Sequence, residues 1–120
     1  VGIVMQDVFL FAGDVASNIS LLDPAIDRAA VETAVRQVGA DRFIARLPGG
    51  LDEPVVERGL SLSTGQRQLI SFARALAYVE AEADGYRRRA QAIRVEAEVA
   101  EAKAEALTSA VAAIRREVAP

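Results

Sequence analysis

Residues 60–68 read L-S-L-S-T-G-Q-R-Q, and this stretch decides how the chain around it folds. Ser63 and Gln66 have the S-x-x-Q spacing of a capping box, in which each side chain accepts a hydrogen bond from the other residue's backbone N–H. The stretch therefore predicts that a helix begins here. Gly65 would let a ligand approach the backbone closely, and the free N–H groups of a helix N-terminus attract anions. From the spacing alone, an ordinary capped helix and a phosphate-facing helix start both remain open.

Downstream of this stretch the composition changes near Tyr78. All four Phe and seven of the eight Gly precede Tyr78, whereas Ala, Glu, Arg and Val dominate after it. These residues are mostly strong helix formers, so we expect residues 78–120 to be helical. Gly85 is the exception, and its cost of roughly 1 kcal/mol against Ala predicts a kink or break.

The predicted C-terminal helix carries apolar residues that repeat every seven positions. One set is Tyr86, Ile93, Ala100, Leu107 and Ile114; a second set, offset by four, is Ala90, Ala97, Ala104, Val111 and Val118. Together they form an Ala-rich apolar seam over about five heptads, which is typical of a coiled coil or a helical hairpin.

Upstream of the capping box, two further helices are indicated by cap residues and periodicity. Asp27 is the predicted N-cap of a helix over residues 28–38, and Gly39 lies just past its end as a C-cap. A shorter helix over residues 41–47 ends at the P-G-G sequence of residues 48–50.

The remaining upstream segments complete a mainly α fold. Residues 15–22 predict one helical turn, residues 51–62 read as a loop, and the β-branched apolar run over residues 1–6 predicts a short strand. The expected architecture is a three-helix subdomain with a short N-terminal strand, followed by a long helix.

Composition excludes several classes of function. The net charge of −3 lacks the basic excess of a nucleic-acid binder, so we expect no nucleic-acid partner. The chain has no Cys and no His, which removes disulfides, thiolate metal sites and the commonest general base. No apolar run reaches the ~18 residues of a membrane span. We therefore expect a cytoplasmic protein.

Five segments in a fixed order carry a family resemblance. They are M-Q-D-V-F-L-F at 5–11, N-I at 18–19, F-I-A-R-L-P-G-G at 43–50, E-R-G at 57–59, and L-S-T-G-Q-R-Q at 62–68 with A-R-A-L at 73–76. In this order they resemble the region from the Q-loop to the signature helix of an exporter-type ABC-transporter nucleotide-binding domain. Thr64 departs from the family pattern, which most often has Gly there.

The resemblance implies a nucleotide site shared between two subunits. In the family, two nucleotide-binding domains meet head to tail with ATP between them. Ser63, Thr64, Gly65 and Gln66 would then bind ATP held by the opposite domain. Gln6 would approach Mg²⁺ and the attacking water.

The resemblance also implies contact with the coupling helices of a transmembrane domain, at the inner face of the cell membrane. The residues concerned are Val8, Phe9, Phe11, Glu57 and Arg58. An alternative interpretation makes the three apolar residues plain core and the Glu57–Arg58 pair a solvated ion pair.

Motifs that the family uses for hydrolysis are missing from this sequence. No G-x-x-x-x-G-K-[ST] phosphate-binding loop occurs, and residues 79–84 read V-E-A-E-A-D where the family has an apolar strand ending in Asp-Glu. We therefore expect the chain to contribute to ATP binding without hydrolysing ATP alone.

The predicted organisation is a partial ABC ATP-binding domain over residues 1–77 and a coiled-coil-like extension over residues 78–120. The extension faintly resembles the stalk helices of flotillin and band-seven proteins. The alternative function is a non-catalytic interaction or scaffold protein, or a chimera, that self-associates through residues 78–120.

Overall fold

The computed structural model describes residues 9–120, so the predicted strand over residues 1–6 lies outside the described residues. Its elements are β1 (Gly13–Asp14), α1 (Val15–Ser20), α2 (Arg28–Gln37), α3 (Asp41–Arg46), β2 (Pro54–Val55) and α4 (Thr64–Val118), with 3₁₀ turns at Gly50–Asp52 and Glu57–Gly59. The predicted mainly α fold with a long C-terminal helix is confirmed.

The chain divides into two compact units, Val1–Glu82 and Ala83–Pro120. In the first unit, α1, α2 and α3 share one apolar core with the beginning of α4. The largest apolar side chains that are almost fully buried there are Leu10, Val15, Ile19, Val31 and Ile70. Burying a side chain of this size stabilises a fold by about 1.5–3 kcal/mol.

The apolar face of α4 in the first unit follows helical spacing. Ile70, Ala73 and Ala77 are buried, and positions three and four residues apart lie on the same side of a helix. The small residues Ala73 and Ala77 let neighbouring segments pack close to the α4 backbone.

The helix α2 begins and ends at its predicted caps. Asp27 Oδ1 accepts a hydrogen bond from the backbone N–H of Ala30 at 2.8 Å. The helix ends at Gln37, one residue before the predicted end, and Gly39 follows with φ of +77°. A left-handed glycine after the last turn is a common helix stop, because Gly has no Cβ and adopts that conformation at little cost.

Residues 51–62 are not the plain loop that the sequence predicts. β2 pairs antiparallel with β1, with Gly13 opposite Val55, and the backbone N–H of Val15 donates to the Glu53 carbonyl at 3.1 Å. Local periodicity does not reveal this pairing, because a two-residue strand is too short to show alternation.

The helix α4 is continuous through Gly85, so the predicted break is wrong. Helix formers on both sides of Gly85 outweigh the cost of a single glycine. The helical-hairpin alternative is also wrong, because Thr64–Val118 is one helix. None of the helices within residues 9–120 combines the length and apolar character needed to cross a bilayer.

Candidate functional site

The N-terminus of α4 is capped by the predicted capping box. The Ser63 N–H donates to Gln66 Oε1 at 2.9 Å, and the Gln66 N–H donates to Ser63 Oγ at 3.0 Å. The first helical hydrogen bond runs from the Arg67 N–H to the Ser63 carbonyl at 3.0 Å. These reciprocal bonds orient the first turn, because both side chains are tied to the backbone.

Two backbone N–H groups of this tip have no acceptor among the described residues, those of Thr64 and Gly65. Ser63, Thr64 and Gly65 are all exposed, and the first turn contains no acidic side chain. The Ser63 hydroxyl oxygen accepts from Gln66 N–H, which leaves its O–H available as a donor. Two amides, one hydroxyl and the positive end of the helix dipole form a donor set that fits a phosphate oxygen.

Gly65 leaves room in front of the tip. A Cβ at this position would meet no atom closer than Ser63 Oγ at 4.0 Å, and the backbone does not need a positive φ. The folding of the described chain therefore does not require glycine here. Because a helical Cβ tilts toward the N-terminus of its helix, a side chain at position 65 would project toward the space beyond the tip.

Arg67 stabilises the segment over residues 59–62, which leads into the N-terminus of α4. Its Nη1 donates to the carbonyls of Leu62 at 2.9 Å and Gly59 at 3.2 Å, and its Nη2 donates to Thr64 Oγ1 at 3.4 Å. The Thr64 hydroxyl thus accepts a hydrogen bond that a glycine could not accept. Sequence reasoning missed this positioning role, since an Arg in a motif does not show which carbonyls it reaches.

A second polar group that sequence reasoning missed is centred on Asn18, which is fully buried. Asn18 Oδ1 accepts from the Phe11 N–H at 3.0 Å, and Nδ2 donates to the carbonyls of Phe11 and Asp14 at 3.0 and 2.9 Å. The side chain therefore holds the segment before α1. A buried Asn that satisfies several backbone groups at once is a specific tie between segments.

Arg74 joins this segment to α4. Its Nε donates to the Asn18 carbonyl at 2.7 Å and its Nη2 to the Phe9 carbonyl at 3.0 Å. Partial burial lowers the pKa of Arg74, because desolvation disfavours the charged form. The guanidinium stays charged at neutral pH, so these are charge-assisted hydrogen bonds.

The structure brings three of the five predicted partner-contact residues together. Phe9 and Arg58 are exposed, Phe11 is half-buried, and all three line an open groove of about 500 Å³. The Phe9 side chain is 66% exposed, so packing against the described residues does not explain why a large apolar residue stands at this position. Val8 and the side chain of Glu57 lie outside what the structure describes.

The described residues contain no cluster of acidic side chains that would hold a metal ion by itself. Within residues 9–120, no three Asp or Glu side chains gather closely enough to hold a metal ion. Gln6, the predicted Mg²⁺ neighbour, lies outside the described residues. The donors of the helix tip therefore fit the phosphate part of a nucleotide.

Comparison with known proteins gives relatives of one kind. The chain is 53% identical over 77 residues to the probable multidrug resistance ABC transporter ATP-binding/permease protein YheH of Bacillus subtilis, which covers 64% of this chain and 11% of that protein. It is 46% identical over 76 residues to the ATP-dependent lipid A-core flippase of Chromohalobacter salexigens, covering 63% of this chain and 13% of the flippase. No protein-family model matches the chain.

A solved structure agrees with these relatives. A bacterial Atm1-family ABC exporter with ATP bound matches 60% of this chain with a TM-score of 0.55 and 42% identity, over 13% of the exporter chain. The homologues of this chain are therefore ABC transporter proteins, and the similarity covers part of the chain. The chain spans between 11% and 13% of the length of the relatives described above.

Proposed function

We propose that the α4 tip binds the phosphates of ATP held by a second, complete ABC ATP-binding domain. The observation that carries this proposal is the capped, exposed helix N-terminus, where the amides of Thr64 and Gly65 and the hydroxyl of Ser63 donate to no acceptor among the described residues. The ABC transporter homologues support it.

Each residue of the tip has a distinct role in this proposal. Ser63 donates its hydroxyl to a phosphate oxygen, Thr64 and Gly65 donate backbone N–H groups, and Gln66 holds Ser63 in place through its side chain. Donors fixed before the ligand arrives lose little entropy on binding. ATP supplies the negatively charged phosphate groups. These residues orient the phosphates through hydrogen bonds and form no covalent bond.

The proposed partners follow from the same arrangement. One is the second nucleotide-binding domain, and the other is the transmembrane domain of a transporter, whose coupling helices would contact the groove lined by Phe9, Phe11 and Arg58. Within such an assembly, at the inner face of the cell membrane, the chain would couple ATP use to transport. Gln6, Val8 and Glu57 keep their predicted roles as part of this proposal.

Nucleotide-dependent association tests the proposal. The labelled chain is titrated with the complete ATP-binding domain of YheH, with and without a non-hydrolysable ATP analogue and Mg²⁺. We expect association only with nucleotide, and we expect Gly65→Ala to weaken it by about tenfold or more, because a methyl group at the tip displaces the phosphate. Gly85→Ala in the same helix is the matched control and should leave association unchanged.

Two outcomes would contradict the proposal. One is association that does not depend on nucleotide, and the other is equal binding by Gly65→Ala and the unmodified chain. A loss of folding does not explain weak binding by Gly65→Ala, since a Cβ there meets no atom closer than 4.0 Å and Ala favours the helix.

A second candidate function rests on a different observation. The apolar seam of the C-terminal helix is exposed to solvent, with Leu107 at 68% and Ile93 at 65% exposure. This favours an interaction or scaffold role in which residues 78–120 self-associate.

A further inference from the structure

The seam of the second unit has a sharply defined chemical pattern. Its large members, Tyr86, Ile93, Leu107 and Ile114, are each between 62% and 68% exposed. Between them lie Ala90, a central run of three small residues (Ala97, Ala100 and Ala104), and Val111. A continuous apolar stripe of this length on one helix face is typical of a surface that another helix covers.

The charged residues beside the seam determine which partner orientation is favourable. In the heptad abcdefg, Ala90 takes an a position and Tyr86 a d position. The flanking g positions are then Arg89, Glu96 and Lys103, and the flanking e positions include Arg94 and Glu101, all of them exposed. Residues at e and g set the orientation of coiled-coil partners.

A parallel, in-register pair of copies is unfavourable. In that arrangement each g residue faces the e residue five positions later on the other helix. Arg89 would face Arg94 of the second copy, and Glu96 would face Glu101 of the second copy. Twofold symmetry repeats both like-charge contacts on the other side of the pair.

An antiparallel pair replaces these repulsions with attractions. In the favoured register, Glu96 lies beside Lys103 of the second copy and Arg94 lies beside Glu101 of the second copy, each twice by symmetry. Sliding the register one heptad toward the C-terminus instead places Arg87 beside Arg115. The shifted register keeps an attraction between Arg89 and Glu117 but adds this repulsion, so the charge pattern favours the first register over it.

The same register also matches the sizes of the core side chains. The facing pairs are Tyr86 with Val111, Ala90 with Leu107, Ile93 with Ala104, and Ala97 with Ala100. Large residues face smaller ones in every layer except the central Ala–Ala layer, which allows interdigitation without voids.

We propose that residues 86–111 bind a second copy of this chain as an antiparallel two-stranded coiled coil. This pairing rests on the second candidate function, self-association through residues 78–120, and does not depend on nucleotide binding at the α4 tip.

Introduced cysteines test the orientation directly, because the chain has no Cys of its own. Full-length Ala90→Cys and Leu107→Cys variants are made with different tags, and each is oxidised alone and as a mixture. Positions 90 and 107 face each other in the antiparallel pair, whereas each position lies far from its own copy. A disulfide needs Cα atoms within about 7 Å, so only the mixture should cross-link.

Cross-linking of either variant alone would show a parallel pair and overturn the proposal. Absence of cross-links in the mixture, together with a monomer in sedimentation equilibrium over the micromolar range, would also overturn it.

Charge reversal tests the register. Glu96→Lys should weaken self-association by about tenfold, because two attractive contacts become repulsive, and the added change Lys103→Glu should restore it. Glu98→Lys is the matched control, since position 98 is a b position away from the interface. If Glu98→Lys weakens association as much as Glu96→Lys, net charge and not register is responsible and the proposal fails.

Discussion

Two glycines near the site differ in whether the folding of the chain requires glycine at that position. At Gly59 the chain itself requires glycine, because φ is +81° and a Cβ would lie 2.6 Å from Leu10 Cδ1. At Gly65 neither reason applies, since the surrounding space is open. At the exposed start of α4, the missing side chain of Gly65 leaves the backbone open to close approach by a ligand.

At the residue scale, the Arg28–Asp52 pair predicts a dependence of stability on pH. Arg28 Nη1 lies 2.8 Å from Asp52 Oδ1, and this hydrogen bond, followed by the charge of Arg28, lowers the pKa of Asp52. Because the native pKa lies below the unfolded one, the pair stabilises the fold above the unfolded pKa. This stabilisation is lost as the pH falls through the native pKa.

We expect NMR titration of the Asp52 side-chain carboxyl carbon to show this lowered pKa, and Arg28→Gln to raise it. Added salt should reduce the difference in the Asp52 pKa between the unmodified chain and Arg28→Gln, because both side chains of the pair are more than half exposed. Arg42→Gln, another exposed Arg to Gln change, is the control and should leave the titration of Asp52 unaltered. An unchanged Asp52 pKa in Arg28→Gln would contradict the assignment.

At the element scale, helix limits follow from local chemistry. Asp27 and Ser63 each accept a hydrogen bond from the backbone N–H three residues later, and both caps are recognisable in sequence. The end of α2 is equally local, because Gly39 adopts a left-handed conformation. The continuity of α4 at Gly85 shows the limit of such rules, since one glycine does not stop a helix whose neighbours favour it.

Replacing glycine by alanine should therefore change stability in opposite directions at two positions. Gly39→Ala should destabilise the first unit by about 1 kcal/mol, because Ala is strained at a left-handed φ even where space is open. Gly85→Ala should stabilise the helix by roughly 0.5–1 kcal/mol, because it relieves the conformational entropy cost of glycine.

Amide hydrogen exchange measures both effects. Protection at Val31 and Val35 in α2 should fall in Gly39→Ala, while protection around position 85 should rise in Gly85→Ala. Equal directions of change at the two sites would rule out this explanation.

At the scale of the whole molecule, the first unit depends on ties between segments far apart in sequence. Arg74 on α4 reaches the carbonyls of Asn18 and Phe9, and Asn18 in turn holds Phe11. These bonds place the groove that Phe9 and Phe11 line at a fixed position relative to the beginning of α4. None of them is visible as a local pattern.

Replacing Asn18 should release this tie. Asn18→Leu keeps a similar volume but leaves the Phe11 N–H and the Phe11 carbonyl without their partner, so we expect a loss of about 2–4 kcal/mol. Faster amide exchange at Phe11 and Ile19 would report it. Thr33→Leu is the control, since this exposed residue bonds only within its own helix region and should change stability by less than about 0.5 kcal/mol.

Much of the fold was accessible from sequence, but less of the site. The capping box and the bounds of α2 were predicted within one residue, because they depend on neighbouring groups. The β1–β2 pairing and the hydrogen bonds that Arg67 and Arg74 donate to backbone carbonyls were not predicted. The roles of the site residues and the domain boundary after position 77 stay predictions.

The sequence by itself determined where helices begin and end and which helix face is apolar, because caps and periodicity act within a few residues of each other. Only the tertiary structure decided that the tip of α4 is open while Asn18 is sealed inside. Whether a polar group meets solvent or a partner depends on segments that are brought together across the chain, and the free energy of burying that group depends on the partner it finds.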